Sequence, residues 1–198
     1  MSIKRSFIIG LMVCFSIVVS LTALPFASAS AASIKTKNKE AHKVYERKVR
    51  SLKDKYGSTY FVKRYADIVG DKVDELIVSH PIHLGYTSGS YLSIYHYSGG
   101  KLKCLLRFAG YAEKVTAFKK AKRIILYTCS HGSEIKDYFK LKKNSYKKIA
   151  SKDRVSTKAG GISTKSWKYY GKSKKIKKSK FKKLIKGFKG KKKTIKMY

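Results

Sequence analysis

The sequence predicts an α+β protein that is mainly β: an antiparallel meander of blade-like hairpins with an N-terminal helix and a short basic C-terminal helix. Three observations carry that expectation. Apolar residues recur every three or four positions before residue 57. Short β-branched and aromatic runs follow, separated by tight-turn residues and not by helices. A helical period then returns close to the C-terminus. Strands joined by tight turns pair antiparallel, because a parallel pair needs a crossover of a dozen residues or more.

The elements are read in chain order. Residues 1–31 have the parts of a secretory signal: Lys4 and Arg5, then an uncharged apolar run from Ile8 to Leu24, then Pro25 and the small-x-small triplet Ala27-Ser28-Ala29. Cleavage after Ala31 or Ala32 fits as well. The apolar run is shorter than the roughly 20 residues of a bilayer span, so no transmembrane anchor is expected after cleavage. Val13 before Cys14 is too bulky for a lipidation site, and a cut there would split the apolar run. Residues 32–57 read as an amphipathic helix whose face is Ala41, Tyr45, Val49, Leu52 and Tyr56, stopped by Gly57. Residues 58–153 read as the β domain. Its strands are expected at 60–65, 75–79, 91–97, 102–108, 124–129, 137–141 and 146–149, with turns at Ser98-Gly99-Gly100 and Lys143-Asn144-Ser145. Residues 154–190 read as a basic strand-turn-helix element packed on that domain. Trp167, Tyr169 and Tyr170 form the strand, Ser179 is the expected N-cap, and Phe181, Leu184, Ile185 and Phe188 form the helix face. Residues 191–198 read as a loose basic tail.

Charge is the dominant compositional signal. The chain has 47 Lys and Arg against 11 Asp and Glu, a formal net charge of +36. Loss of Lys4 and Arg5 with the signal leaves +34, and Lys outnumbers Arg 40 to 7. Arg reads phosphate and base geometry with a bidentate fork, whereas Lys acts as a mobile point charge. Such a surface implies association with anionic cell-wall polymers or other extracellular polyanions, without specific nucleic-acid recognition, by a monomeric secreted protein. The candidate polyanion-binding residues are Lys172, Lys174, Lys175, Lys177, Lys178, Lys182, Lys183 and Lys186. Two other readings stay open: a membrane-active or antimicrobial basic protein acting through its C-terminal helix, and a secreted hydrolase with an unrecognised site.

Catalytic motifs do not emerge, so the chain reads as non-enzymatic. Ser130-His131-Gly132-Ser133-Glu134 places nucleophile-like and base-like residues side by side, but a triad converges in space and not in sequence. Gly160-Gly161-Ile162-Ser163-Thr164-Lys165-Ser166 lacks the glycine before the lysine of a phosphate loop. His80-Pro81-Ile82-His83, with His96 and His131 as remote partners, lacks the Cys or carboxylate pattern of a metal site. Cys104 and Cys129 either form one disulfide or pack as small hydrophobes. Tyr91, Tyr95 and Tyr97 alternate along one strand and share a face, which is either core or a stacking surface.

The acidic segment Asp67-Ile68-Val69-Gly70-Asp71-Lys72-Val73-Asp74-Glu75-Leu76 stands apart. It gathers four of the 11 acids in nine residues, and Asp67, Asp71 and Glu75 fall at the offsets of an oxygen-ligand calcium loop. It resembles the D-x-D-G-D-G-x-x-E-L motif of FG-GAP and VCBS-type repeats, in particular the single-unit versions in secreted, largely uncharacterised proteins of gut Firmicutes. The resemblance implies an extracellular β-rich domain with flanking helices and no known activity. Val69 stands where the motif has Asp, and Lys72 where it has the turn glycine. Three carboxylates beside an ammonium make a poor calcium cage. The competing reading is a turn in which they cap backbone N–H groups or pair with lysines.

Overall fold

The computed structural model describes residues 26–57, 61–84, 87–130, 133–155 and 167–198. The charged start and apolar run of the signal, the phosphate-loop-like run at 160–166 and His131 lie outside these residues. Residues 1–36 and 37–198 form two compact units. In the first, residues 26–36 are the start of α1 (Phe26–Tyr56). Among the described residues no helix is long and apolar enough to cross a membrane.

The second unit is mainly β with flanking helices, and its elements form four layers. A four-stranded antiparallel sheet holds β1 (Val62–Ala66), β2 (Glu75–Leu84), β3 (Thr87–Ser98) and β4 (Lys101–Ala109) in chain order. The second sheet has seven strands: β5 (Lys114–Phe118), β6 (Arg123–Ser130), β7 (Ser133–Lys142), β8 (Ser145–Val155), β9 (Lys168–Gly171), β10 (Lys174–Lys175) and β11 (Lys193–Lys196). Its order is β10-β9-β8-β7-β6-β5-β11, all antiparallel, so the last strand returns to pair beside the first. A short helix, α2 (Lys178–Ile185), follows β10.

Strand alternation sorts the side chains into three cores. Ile77, Leu92 and Ile94 of the small sheet meet Val115, Ala117, Ile124, Leu126, Phe139, Ile195 and Met197 of the large one. The other face of the small sheet, Leu76, Val78 and Tyr95, is covered by Ala41, Tyr45, Val49 and Leu52 of α1. The outer face of the large sheet is covered at one end by Phe181 of α2, which packs on Tyr138 and Ala150. Tyr95 and Tyr97 therefore lie under α1 as core, and Tyr45 ties helix to sheet. Its hydroxyl donates to the Asp74 carbonyl at 2.8 Å and accepts from the Tyr97 N–H at 2.9 Å.

Two local expectations change and one open alternative is decided. Residues 191–198 are not a loose tail: β11 pairs with β5, and Ile195 and Met197 are buried. Alternation of Ile195 and Met197 with Lys196 gives that strand its inward face, which the surrounding lysines mask in the sequence. Ser179 is not the N-cap; Lys177 holds that position with no side-chain cap, and burial of Phe181 holds the helix in place. Cys104 and Cys129 are both free thiols, one on each sheet.

Candidate functional site

Antiparallel register assembles a surface on the outer face of the large sheet that no single stretch of sequence contains. Lys196 of β11 is opposite Lys114 of β5, which is opposite Tyr127 of β6. Tyr127 is opposite Lys136 of β7, which is opposite Lys152 of β8, which is opposite Tyr169 of β9. One row thus crosses six strands as Lys-Lys-Tyr-Lys-Lys-Tyr. Its length is roughly 24 Å, five interstrand steps of about 4.8 Å.

Like charges directly opposite one another destabilise a sheet, so this row needs compensation. Aromatic rings supply part of it. Lys114 and Lys136 lie 5.1 and 5.4 Å from the Tyr127 ring centroid. Trp167, just before β9, takes Lys152 at 4.1 Å, Arg154 at 4.9 Å and Lys136 at 5.7 Å. Each such contact contributes about 0.5–1 kcal/mol at a half-exposed site. Glu134 is the acid beside the row. It pairs with Arg154 and accepts the Tyr127 hydroxyl at 2.9 Å, and the Arg154 hydrogen bond holds its carboxyl below the usual carboxylate range. Burial, and then Lys136 and Arg154, lower the Lys152 ammonium from its ordinary pKa. The row is a field of cations held at fixed spacing by strand register.

The eight lysines expected from the sequence lie elsewhere. Lys172, Lys174 and Lys175 occupy the β9–β10 hairpin, and Lys177, Lys178, Lys182, Lys183 and Lys186 lie on and beside α2. All eight are exposed. Sequence reading found them because they cluster along the chain. Lys114, Lys136, Lys152 and Lys196 escaped because only strand register brings them together.

The acidic loop folds as a hydrogen-bonded turn. Asp67 Oδ1 accepts the Gly70 N–H at 2.7 Å, and its Oδ2 pairs with Lys119 at 2.8 Å. Asp71 Oδ1 accepts the Val73 N–H at 3.1 Å. Glu75 is fully buried; its Oε2 accepts the Ile68 and Val69 N–H groups at 2.6 and 3.0 Å. Its Oε1 meets His96 Nδ1 at 2.8 Å, while His96 Nε2 faces Asp71 Oδ2 at 3.6 Å. Glu75 therefore raises the His96 pKa by holding the imidazolium between two carboxylates. Lys72 adopts φ 70°, the left-handed backbone for which the motif uses glycine.

The three loop carboxylates do not converge as one ligand set. Asp67 is engaged by Lys119, and the metal-type cluster that the fold does assemble is Asp71, Glu75 and His96. His96 is 21 residues from Glu75 and becomes its neighbour through β2–β3 pairing, a relation that spacing does not reveal. His80 is buried and stacks on Tyr56 at 4.8 Å, in the core and not at a metal centre. The side chain of His83 lies outside the described residues.

Fold and surface together define an α/β/β/α layered protein with a basic, aromatic-laced sheet face. Comparison with family models, with curated proteins and with solved structures found no match to this chain.

Proposed function

We propose that this is a secreted, non-enzymatic protein that binds extracellular anionic polymers, such as those of a cell wall, along the outer face of its large sheet. The observation that carries the reading is the cross-strand row Lys196-Lys114-Tyr127-Lys136-Lys152-Tyr169 with Trp167 beside it. A linear polyanion laid across the strands relieves the repulsion between neighbouring ammoniums, and that relief favours binding. Lys-dominated contact makes the interaction follow charge density and not polymer sequence. The lysines of the hairpin and of α2 add long-range attraction.

The competing readings draw less support. A membrane-active helix needs a free apolar face, whereas Phe181 is 3% exposed against the sheet. A hydrolase that used His96 would need a free base there, whereas both of its ring nitrogens face carboxylates.

The chain has one tryptophan, and it stands beside the row with Lys152 over its ring, so its emission reports on the proposed surface. Titration of the signal-free protein with heparin at low salt should shift Trp167 emission. Molar salt should reverse the shift, because the screening length falls to about 3 Å. Heparin binding that leaves Trp167 emission unchanged, or that persists in molar salt, would refute the proposal.

A further inference from the structure

A second basic feature differs from the row in shape. β5 ends at Phe118 and β11 begins at Lys193, and the antiparallel register sets Lys193 opposite Ala117. The turn after β5 and the segment before β11 therefore run side by side at one end of the sheet. Between them is a cleft of about 450 Å³ lined by Lys119, Lys120, Lys191, Lys192 and Lys193. That volume is in the range of small-ligand sites.

Both walls are anchored. On one side the Lys122 N–H closes the turn onto the Lys119 carbonyl at 3.0 Å, and Lys119 is fixed to Asp67 at 2.8 Å. On the other side Phe188 packs edge-on against Phe118 at 5.7 Å before the wall, and Ile195 is buried after it. The ion pairs among the described residues include Lys119 but none of Lys120, Lys191, Lys192 or Lys193. Nearby, Arg123 stacks on Phe188 at 5.2 Å, with its Nε and Nη1 buried and lacking an acceptor among the described residues.

We infer that this cleft is a discrete site for a compact, multiply charged phosphate group of the diphosphate or triphosphate class. Four exposed lysines without an ion-pair partner among the described residues line this concave volume, so their ammoniums can converge on a ligand held there. A ligand that brings three or four negative charges into that volume neutralises them together, whereas a monoanion leaves most of their repulsion in place. Lys selects for charge density and not for a planar oxygen pair, so a phosphate chain is preferred to a carboxylate of equal charge. Four residues of β5 separate Lys114 in the row from Lys119 in the cleft, so the two surfaces can be inactivated independently. The inference does not depend on the row.

The test is calorimetric titration of the signal-free protein with inorganic tripolyphosphate, and with citrate as the carboxylate comparison. Tripolyphosphate should bind one to one and more tightly than citrate. Each ammonium–phosphate contact at an exposed lysine is worth about two- to fivefold in Kd. The variant K120Q/K191Q/K192Q/K193Q should therefore lose affinity by at least about tenfold. The charge-matched variant K114Q/K136Q/K152Q/K196Q should stay within about twofold of the parent, since it leaves the cleft untouched. A Lys→Arg set at the four cleft positions should keep binding, which separates loss of charge from loss of fold. The inference is overturned by several equivalents bound per chain, by equal losses in the two charge-matched variants, or by full affinity in the cleft variant.

Discussion

Neutralising the cross-strand row is the perturbation that most directly tests the proposed binding of polyanions on the sheet face. Replacing Lys114, Lys136, Lys152 and Lys196 by Gln removes four cations while leaving Tyr127, Trp167 and the strand register in place. These side chains are half-exposed or exposed, so the fold loses no core volume. Relief of facing like charges and loss of the cation–ring contacts act in opposite directions, so the net change in stability should be small. Binding has a calculable cost. Each phosphate neutralised on a single-stranded polyanion contributes about 0.7 to the slope of log K against log salt, so four lysines account for a slope of about 3. Across a fourfold range of salt that is an affinity change of about 50-fold, present in the parent and absent from the variant. The assay is Trp167 emission, titrated with a single-stranded polyanion such as poly(dT) at several salt concentrations. The comparison variant K177Q/K178Q/K182Q/K183Q carries the same change in net charge on α2. A parental slope retained by the row variant and lost by the α2 variant would refute the placement of binding on the sheet face.

Three further outcomes follow from local geometry. Lys72→Gly should stabilise the protein by about 0.5–1 kcal/mol in urea unfolding, because glycine removes the left-handed backbone strain at φ 70° and gives back part of it as unfolded-state entropy. His96 has its pKa raised by its hydrogen bond to Glu75, so its stabilisation is complete below the ordinary imidazole value of 6.5 and is lost as pH rises through the raised value. His96→Gln should flatten the stability-against-pH curve over that interval, read by thermal melts. Tyr45→Phe removes one hydroxyl that serves both the Asp74 carbonyl and the Tyr97 N–H, leaving two backbone groups unsatisfied under α1; denaturant unfolding should show a loss of about 2–4 kcal/mol.

How far the sequence revealed this arrangement depended on whether each signal was local. The α1 face was legible because Ala41, Tyr45, Val49 and Leu52 repeat with the helical period, and the same residues are buried. Seven strands were visible as apolar or aromatic runs between turns. β5, Lys114–Phe118, was missed because it is short and ends directly in a lysine turn. β11 was missed because Lys191-Lys192-Lys193 and Lys196 outweigh Ile195 and the following Met197 in any composition window. The candidate site was less legible still. Clustering along the chain pointed to the hairpin and α2, whereas the row draws one residue from each of six strands spanning 114 to 196. The acidic loop was recognisable, but the partner of Glu75 was not, since His96 arrives by register alone.

The excess of lysine in the large sheet divides by position, and the division bears on function. Both edges of that sheet are lysine strands: β10 is Lys174–Lys175, and β11 carries Lys193 and Lys196. Lysine on an edge strand blocks edge-to-edge pairing with another chain, so those residues have a sufficient reason to be there in protein solubility alone. Lys114, Lys136 and Lys152 have no such reason. They sit on β5, β7 and β8, each flanked by strands on both sides, where an ammonium facing another ammonium costs stability and protects no edge. Threonine or tyrosine would suit a half-exposed position in a central strand better. A central row of cations, each placed against an aromatic ring and leaving Lys152 with a depressed pKa, is an arrangement that folding alone disfavours and that an anionic partner rewards.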